Sequence, residues 1–250
     1  MRAAQAVRGL TPIDAKSVAR DSMLRWLFVL PLLIAVLMRW GVPAVAARLH
    51  EQAGFALEPY YPLIASFMTL IAPMLVGIVI GFLLLDQRDD GTLAALRVTP
   101  VSLDGFLAYR IAAPMVLGVA LTMVVVPLTG LVSMRPWALF LCAIAAAPAG
   151  PLYALFLAGF ASNKVQGFAL MKAAGVFNWP PVIAYFLPLG WQLVMGVVPT
   201  YWPAKLFWVL EAGSAGEVAW TGWLPYLLVG LVYQGVLVWL LLRRFEKVAV

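Results

Sequence analysis

Apolar residues in this chain neither alternate nor recur on one helical face. They run without a charge for twenty positions and more, and the charged residues gather in short clusters between the runs. Residues 63–85 carry no charge and, at 1.5 Å per residue, build a helix of roughly 34 Å, enough to cross the hydrocarbon of a bilayer. Residues 111–134, 136–163 and 218–242 are charge-free over similar lengths. Residues 173–204 are charge-free too, but are cut by Pro180, Pro181, Pro188, Pro199 and Pro203. The first apolar stretch is the shortest, because Arg25 and Arg39 bracket only residues 26–38. Both arginines are placed to snorkel, and Trp26 and Trp40 to anchor at the two interfaces. The pattern predicts six spans, at about 23–43, 62–85, 104–131, 137–161, 172–188 and 222–242.

Composition agrees: 64% of the 250 residues are hydrophobic and only 11% charged, against roughly 25% charged in soluble domains. The fold class expected is an all-α polytopic membrane protein, in one transmembrane domain over 1–250. Six spans place both termini on one side. Of the 17 Lys and Arg residues, 13 fall on that side or in the loops after the second and fourth spans, and 4 on the other. The positive-inside rule then makes both termini cytoplasmic. It also accounts for the net charge of +6 without nucleic acid as a partner. The single cysteine, Cys142, lies in an apolar run and reads as a small buried hydrophobe. The polar start of the chain does not resemble the apolar core of a secretory signal.

Within the spans, Gly77 and Gly81 (GIVIG) allow close helix approach, and Pro148, Gly150 and Pro151 are expected to bend the fourth span. After the fifth span, residues 189–212 are too apolar for a free loop, and their proline-bounded pieces are too short to cross. Short re-entrant or interfacial helices on the outer side are expected, with Tyr201, Trp202, Trp208, Trp220 and Trp223 as an aromatic belt.

The densest polar cluster is Asp86-Gln87-Arg88-Asp89-Asp90, followed by Gly91-Thr92 and a Leu/Ala segment closed by Thr99-Pro100. Four ionised groups at mid-bilayer would cost on the order of 10 kcal/mol, so the cluster belongs in water or against another protein. Gly91 provides a turn and Thr92 a cap for a short helix over 93–98. Pro100 ends that helix, since the residue before a proline disfavours the α region. Ser102 then caps the third span, with Asp104 at its positive end. The result is a short helix lying across the membrane surface, with Leu93 and Leu96 on one face.

Enzymatic readings of the cluster fail on their missing parts. No GxxxxGK[ST] loop is present. His50 is the only histidine and is expected in an outer loop, which excludes HExxH zinc chemistry and leaves no His-dependent triad beside the acids. Asp90-Gly91-Thr92-Leu93-Ala94 resembles the core motif of CDP-alcohol phosphatidyltransferases. Gln87 and Ala95 stand where that family has Asp and Arg, however, and the downstream aspartates needed to converge on a metal are absent.

The run DQRDDGTLAALRVTPVSLDGFLAYR resembles the cytoplasmic loop of ABC-2 type transporter permeases, and LRVTPVS is most similar to the drug (fluoroquinolone-type) export branch. KVQGFALMKAAG, the Pro-Pro of the fifth span and PTYWPAKLFW resemble that branch as well. Asp90 stands where the family often has Glu.

The resemblance implies a coupling helix that contacts a separate ATPase subunit through Asp86, Asp89, Asp90, Gly91, Thr92, Leu93, Leu96, Arg97, Thr99 and Pro100. It further implies an N-terminal interfacial helix over about 10–22, starting at Thr11-Pro12-Ile13-Asp14, and re-entrant outer helices between spans five and six. A second permease protomer, identical or a sister chain, would be the other protein partner, and membrane lipids surround both. This chain would bind no cofactor, with ATP and magnesium held by the ATPase, and would do no bond chemistry. The place implied is the bacterial cytoplasmic membrane.

Candidate pathway residues are the polar or aromatic ones inside spans: Ser66, Thr69, Thr122, Asn178, Trp179 and Gln234. The commoner role for such residues is a hydrogen bond between helices. No ionisable residue falls mid-span, which speaks against a proton-relay transporter and fits a hydrophobic or amphipathic cargo. A membrane scaffold without transport is the competing class.

Overall fold

The computed structural model describes residues 2–90, 103–213 and 220–249. The chain forms α1 (Arg2–Arg20), α2 (Ser22–Ala53), a 3-10 turn Glu58–Tyr60 that leads into α3 (Tyr61–Asp89), and α4 (Leu103–Thr129). Next come α5 (Pro136–Ala146), α6 (Ala149–Phe160), α7 (Lys164–Ala174), a 3-10 turn Gly175–Asn178 and α8 (Pro180–Tyr185). The chain closes with α9 (Leu189–Met195), α10 (Tyr201–Ala212) and α11 (Trp220–Ala249). Five stretches are long and apolar enough to cross a membrane: α2, Glu58–Asp89, Gly105–Thr129, Pro136–Phe160 and Gly222–Lys247. The protein is an all-α polytopic membrane protein.

Burial sorts these helices. α3 is apolar on every side, and 19 of its 29 residues are buried, without a gap from Leu75 to Leu85. Such a helix belongs at the centre of a bundle. α2 buries only Leu24, Pro31, Ala35 and Ala46 of its 32 residues and lies on the rim. Where α3 crosses α6 the backbones nearly touch: a Cβ on Gly77 would stand 2.1 Å from the carbonyl oxygen of Gly150, and one on Gly81 3.1 Å from that of Ala154. The small residues of GIVIG thus serve packing within the chain. The predicted bend of the fourth span is a break at Ala147–Pro148, between α5 and α6.

The stretch predicted as the fifth span, 172–188, is not one continuous helix: α7, the 3-10 turn and α8 run in succession from Lys164 to Tyr185. These pieces nevertheless follow α3 from end to end. Gly167 packs on Phe82 and Leu85, the Asn178 amide meets the Met74 sulfur at 3.1 Å, and the Tyr185 hydroxyl donates to the Pro59 carbonyl. The break has a covalent cause. Pro180 and Pro181 have no N–H with which to continue the i→i−4 ladder. The Phe177 carbonyl that Pro181 would have engaged accepts the Thr200 hydroxyl instead.

Residues 189–212 form two short helices joined by a turn, the first packed on α8. α9 is followed by a turn at 196–200, whose Val197 carbonyl accepts the Tyr233 hydroxyl halfway along α11. The Gly196 carbonyl accepts the Trp202 indole N–H at 2.9 Å. α10 then packs among α3, α5 and α11, with the Trp208 indole donating to the Ser66 hydroxyl at 3.1 Å. Irregular backbone at this depth survives because side chains take up its free carbonyls. Tyr201 and Trp208 are buried here, not ranged along a membrane-surface belt; a re-entrant helix inside the bundle turns its aromatic face onto its neighbours.

Two ends also differ. α2 continues ten residues past the predicted 43, through Pro43, to an αL cap at Gly54 (φ +63°). His50 is therefore exposed on its last turn rather than in a loop. α1 starts at Arg2 and passes through Pro12, so Thr11-Pro12 is no helix start. The real punctuation is Asp21, extended at φ −88°, which caps α2 by accepting the Met23 and Leu24 N–H groups.

Candidate functional site

Both ends of the chain meet at one face, called here the terminal face. Asp14 of α1 reaches the start of α4, and Arg244 of α11 reaches the last turn of α6 through the Gly159 carbonyl. The final turn of α3 occupies the middle, and three consecutive residues on it hold three different elements. The Asp86 carboxylate pairs with Lys164 of α7 at 3.0 Å. The Gln87 side-chain oxygen accepts from Arg110 of α4 at 2.9 Å. Arg88 donates to the Ala161 carbonyl at 2.8 Å and to that of Ala158, satisfying the free C-terminal carbonyls of α6. Asp89 and Asp90 remain exposed where α3 ends.

Arg110 is the most completely buried charged side chain among the described residues, 1% exposed. Its fork grips Asp14 through two bonds, 2.7 and 3.1 Å. The Tyr109 hydroxyl donates to the same carboxylate at 2.9 Å, and the rings of Phe106 and Tyr109 stand about the guanidinium. A bidentate charge-assisted pair of this kind fixes orientation as well as distance. It ties α1 at once to the element that enters residues 91–102, through Gln87, and to the element that leaves them, through Arg110. Lys164 makes a second tie between Asp86 and Asp21, at 3.0 and 3.3 Å. Burial raises the Asp21 pKa, but the Leu24 and Met23 N–H groups and Lys164 outweigh it and hold the carboxyl below its usual range. Burial lowers that of Lys164, and Asp86 and Asp21 outweigh it in turn, holding the ammonium on.

Of the residues expected at the coupling contact, Asp86 is half-buried and paired inward, while Asp89 and Asp90 face outward. Gly91, Thr92, Leu93, Leu96, Arg97, Thr99 and Pro100 lie outside the described residues, as does the Ser102 cap. The sequence reading missed the groups that bind this face together: Asp14, Asp21, Gln87, Arg88, Tyr109, Arg110 and Lys164. One clue was available, since Arg110 sits seven residues into α4 and a cation at that depth requires a partner.

The candidate pathway residues separate into three groups. Ser66 and Gln234 bridge helices: the Ser66 hydroxyl donates to Leu63 O and accepts from Trp208, and the Gln234 amide donates to the Ala145 and Gly230 carbonyls. The hydroxyls of Thr69 and Thr122 and the amide oxygen of Asn178 are buried without a hydrogen-bond partner among the described residues. Trp179 is exposed on the bundle's side. Gln234 also lines a cavity of about 420 Å³ between α6, the Gly175–Asn178 turn and α11.

Residues 14–242 match the family described as "Fluoroquinolones export permease protein Rv2686c-like". Two curated proteins of Mycobacterium tuberculosis, named fluoroquinolones export permease protein Rv2686c (strain ATCC 25618 / H37Rv) and MT2760 (strain CDC 1551 / Oshkosh), are each 35% identical to this chain over 238 residues. Those residues are 93% of this chain and 91% of each relative. No solved structure matches. A multi-pass all-α bundle matched over nearly its whole length has one assignment: the chain belongs to the Rv2686c-like fluoroquinolone export permease family.

Proposed function

We propose that this chain is the membrane-spanning subunit of an ABC exporter, driven by a separate ATPase that docks on the terminal face at residues 86–100. The supporting observation is the three-way attachment of Asp86, Gln87 and Arg88. A push delivered to the end of α3 is borne directly by α4, α6 and α7, and by α1 through Arg110. The chain contributes differential affinity between two conformations and leaves ATP hydrolysis to its partner. Two protomers, identical or sister chains, enclose the pathway, and residues 164–185 complete a sixth crossing. The basic terminal face then lies in the cytoplasm of a plasma membrane. The relatives' names point to drug export, and the uncharged bundle interior suits a hydrophobic or amphipathic cargo.

The test is affinity purification of tagged protein from native membranes in mild detergent, wild type beside Leu93→Asp/Leu96→Asp. Stoichiometric co-purification of a P-loop ATPase with the wild type, lost in the double variant, is the expected result. A folded wild type that brings down no ATPase overturns the proposal in favour of a scaffold.

A further inference from the structure

The cavity of about 420 Å³ falls within the range of roughly 300–1,000 Å³ usual for ligand sites. Its walls include Leu152 and Phe156 of α6 and Leu237, Leu240 and Leu241 of α11, and no lining residue is charged. Of its four polar side chains, three spend their donors on backbone carbonyls, and Tyr153 is the fourth. The Thr200 hydroxyl donates to Phe177 O, the Tyr233 hydroxyl to Val197 O, and the Gln234 amide N–H groups to Ala145 O and Gly230 O. What remains is hydrocarbon, able to select an occupant by length and cross-section only. Phe177 and Leu240 on its rim are about half exposed, so the slot communicates with the side of the bundle.

The slot runs along α11 toward the terminal face, and a cation waits at that end. Phe156 packs at a tilt against Phe160, ring centres 5.1 Å apart, and the Arg244 guanidinium lies over the Phe160 ring at 3.9 Å. The Arg244 Nε is spent on the Gly159 carbonyl; its terminal nitrogens have no protein partner among the described residues. Arg243, stacked on Trp239 at 3.7 Å, adds a second exposed cation beside it. An uncharged slot one turn from a held guanidinium matches a long hydrocarbon that ends in an anion.

We propose that the slot binds one acyl chain of an anionic membrane lipid, with the headgroup phosphate at Arg244. The site requires neither an ATPase nor a transport cycle, so it stands or falls independently of the exporter reading. It would give the rim of α11 a fixed lipid neighbour and fill the space beneath the 196–200 turn.

Native mass spectrometry of the delipidated protein, titrated with dipalmitoyl phosphatidylglycerol or dipalmitoyl phosphatidylcholine, tests it. The wild type is expected to hold one phosphatidylglycerol per chain and to prefer it to phosphatidylcholine. Arg244→Gln should weaken phosphatidylglycerol about tenfold, the loss of one charge-assisted contact, and weaken phosphatidylcholine less, because its choline cation already offsets the same phosphate. Leu240→Trp, a substitution on the half-exposed rim, should abolish retention of both while thermal unfolding stays that of the wild type. Equal binding of the two lipids by the wild type, or full retention by a folded Leu240→Trp, overturns the proposal. A phosphatidylglycerol with a diazirine in its chain gives a readout free of variants. Crosslinks in peptides covering 149–156 or 233–241 support the slot, and crosslinks confined elsewhere refute it.

Discussion

The two halves of this bundle solve the same problem by different chemistry. At the terminal face, charged side chains carry the ties: Asp14 with Arg110 and Tyr109, Gln87 with Arg110, Lys164 with Asp21 and Asp86, and Arg88 and Arg244 with carbonyls at the end of α6. In the middle and far half, neutral side chains carry most of them, chiefly onto backbone: Thr200 with Phe177 O, Tyr233 with Val197 O, Trp202 with Gly196 O, Gln234 with Ala145 O and Tyr185 with Pro59 O, beside the Trp208–Ser66 pair. Charge is used where a charge of opposite sign on another helix meets it, buried as at Arg110 with Asp14 or half-exposed as at Lys164. Neutral donors are used where helices break inside the bundle and leave carbonyls that nothing else can satisfy. One half is joined by pairs that can be exchanged for other pairs, and the other by patches specific to each break.

The contrast breaks most visibly at Arg110. Arg110→Leu leaves the Asp14 carboxylate buried without its cation and should cost about 3–5 kcal/mol, read as a large fall in thermal stability in detergent. Replacing both partners, Asp14→Leu with Arg110→Met, should recover most of that stability, because a buried ion pair is often matched by apolar residues of similar volume. If the pair transmits movement, the double variant will fold and still export poorly in cells.

In the neutral half the expected effect is smaller. Thr200→Val keeps the shape of the side chain and leaves one carbonyl unpaired, a loss of about 1 kcal/mol. A loss as large as that of Arg110→Leu would erase the distinction between the halves.

The smallest effect sits at Asp21 and carries a sign. Its folded pKa lies below the ordinary value of 3.8, so its contribution is present above that value and is lost as pH falls through the folded pKa. Asp21→Asn retains capping ability but removes the charge. The variant should be slightly less stable than wild type at neutral pH and should flatten the acid limb of the stability–pH curve.

The continuous spans were legible in the sequence because unbroken apolar length leaves no alternative to a helix in lipid. The two short helices over 189–212 were legible for the converse reason, their stretch being apolar yet cut too short by Pro188, Pro199 and Pro203. The division of 164–185 into three pieces was harder to read. Pro180-Pro181 marks a break, but its repair lies with Thr200, twenty residues away and on another element. The ties of the terminal face were hidden for the same reason. Asp14 reads locally as a helix-start residue, and only the packing of α1 on α4 turns it toward Arg110. Sequence patterning reports what each segment must bury and is silent on which distant group will satisfy it.

The bare contact of Gly77 with Gly150 has a mechanical consequence. Backbone meets backbone there with no side chain between, so it is the closest approach of α3 to α6, and a tilt of α3 that releases the Arg88 bonds to the end of α6 would pivot on it as on a fulcrum. Gly77 stands 12 residues from Asp89 and 16 from Tyr61, arms of about 18 and 24 Å at 1.5 Å per residue. A sideways displacement at the acidic end emerges enlarged by about a third, and in the opposite sense, at the far end.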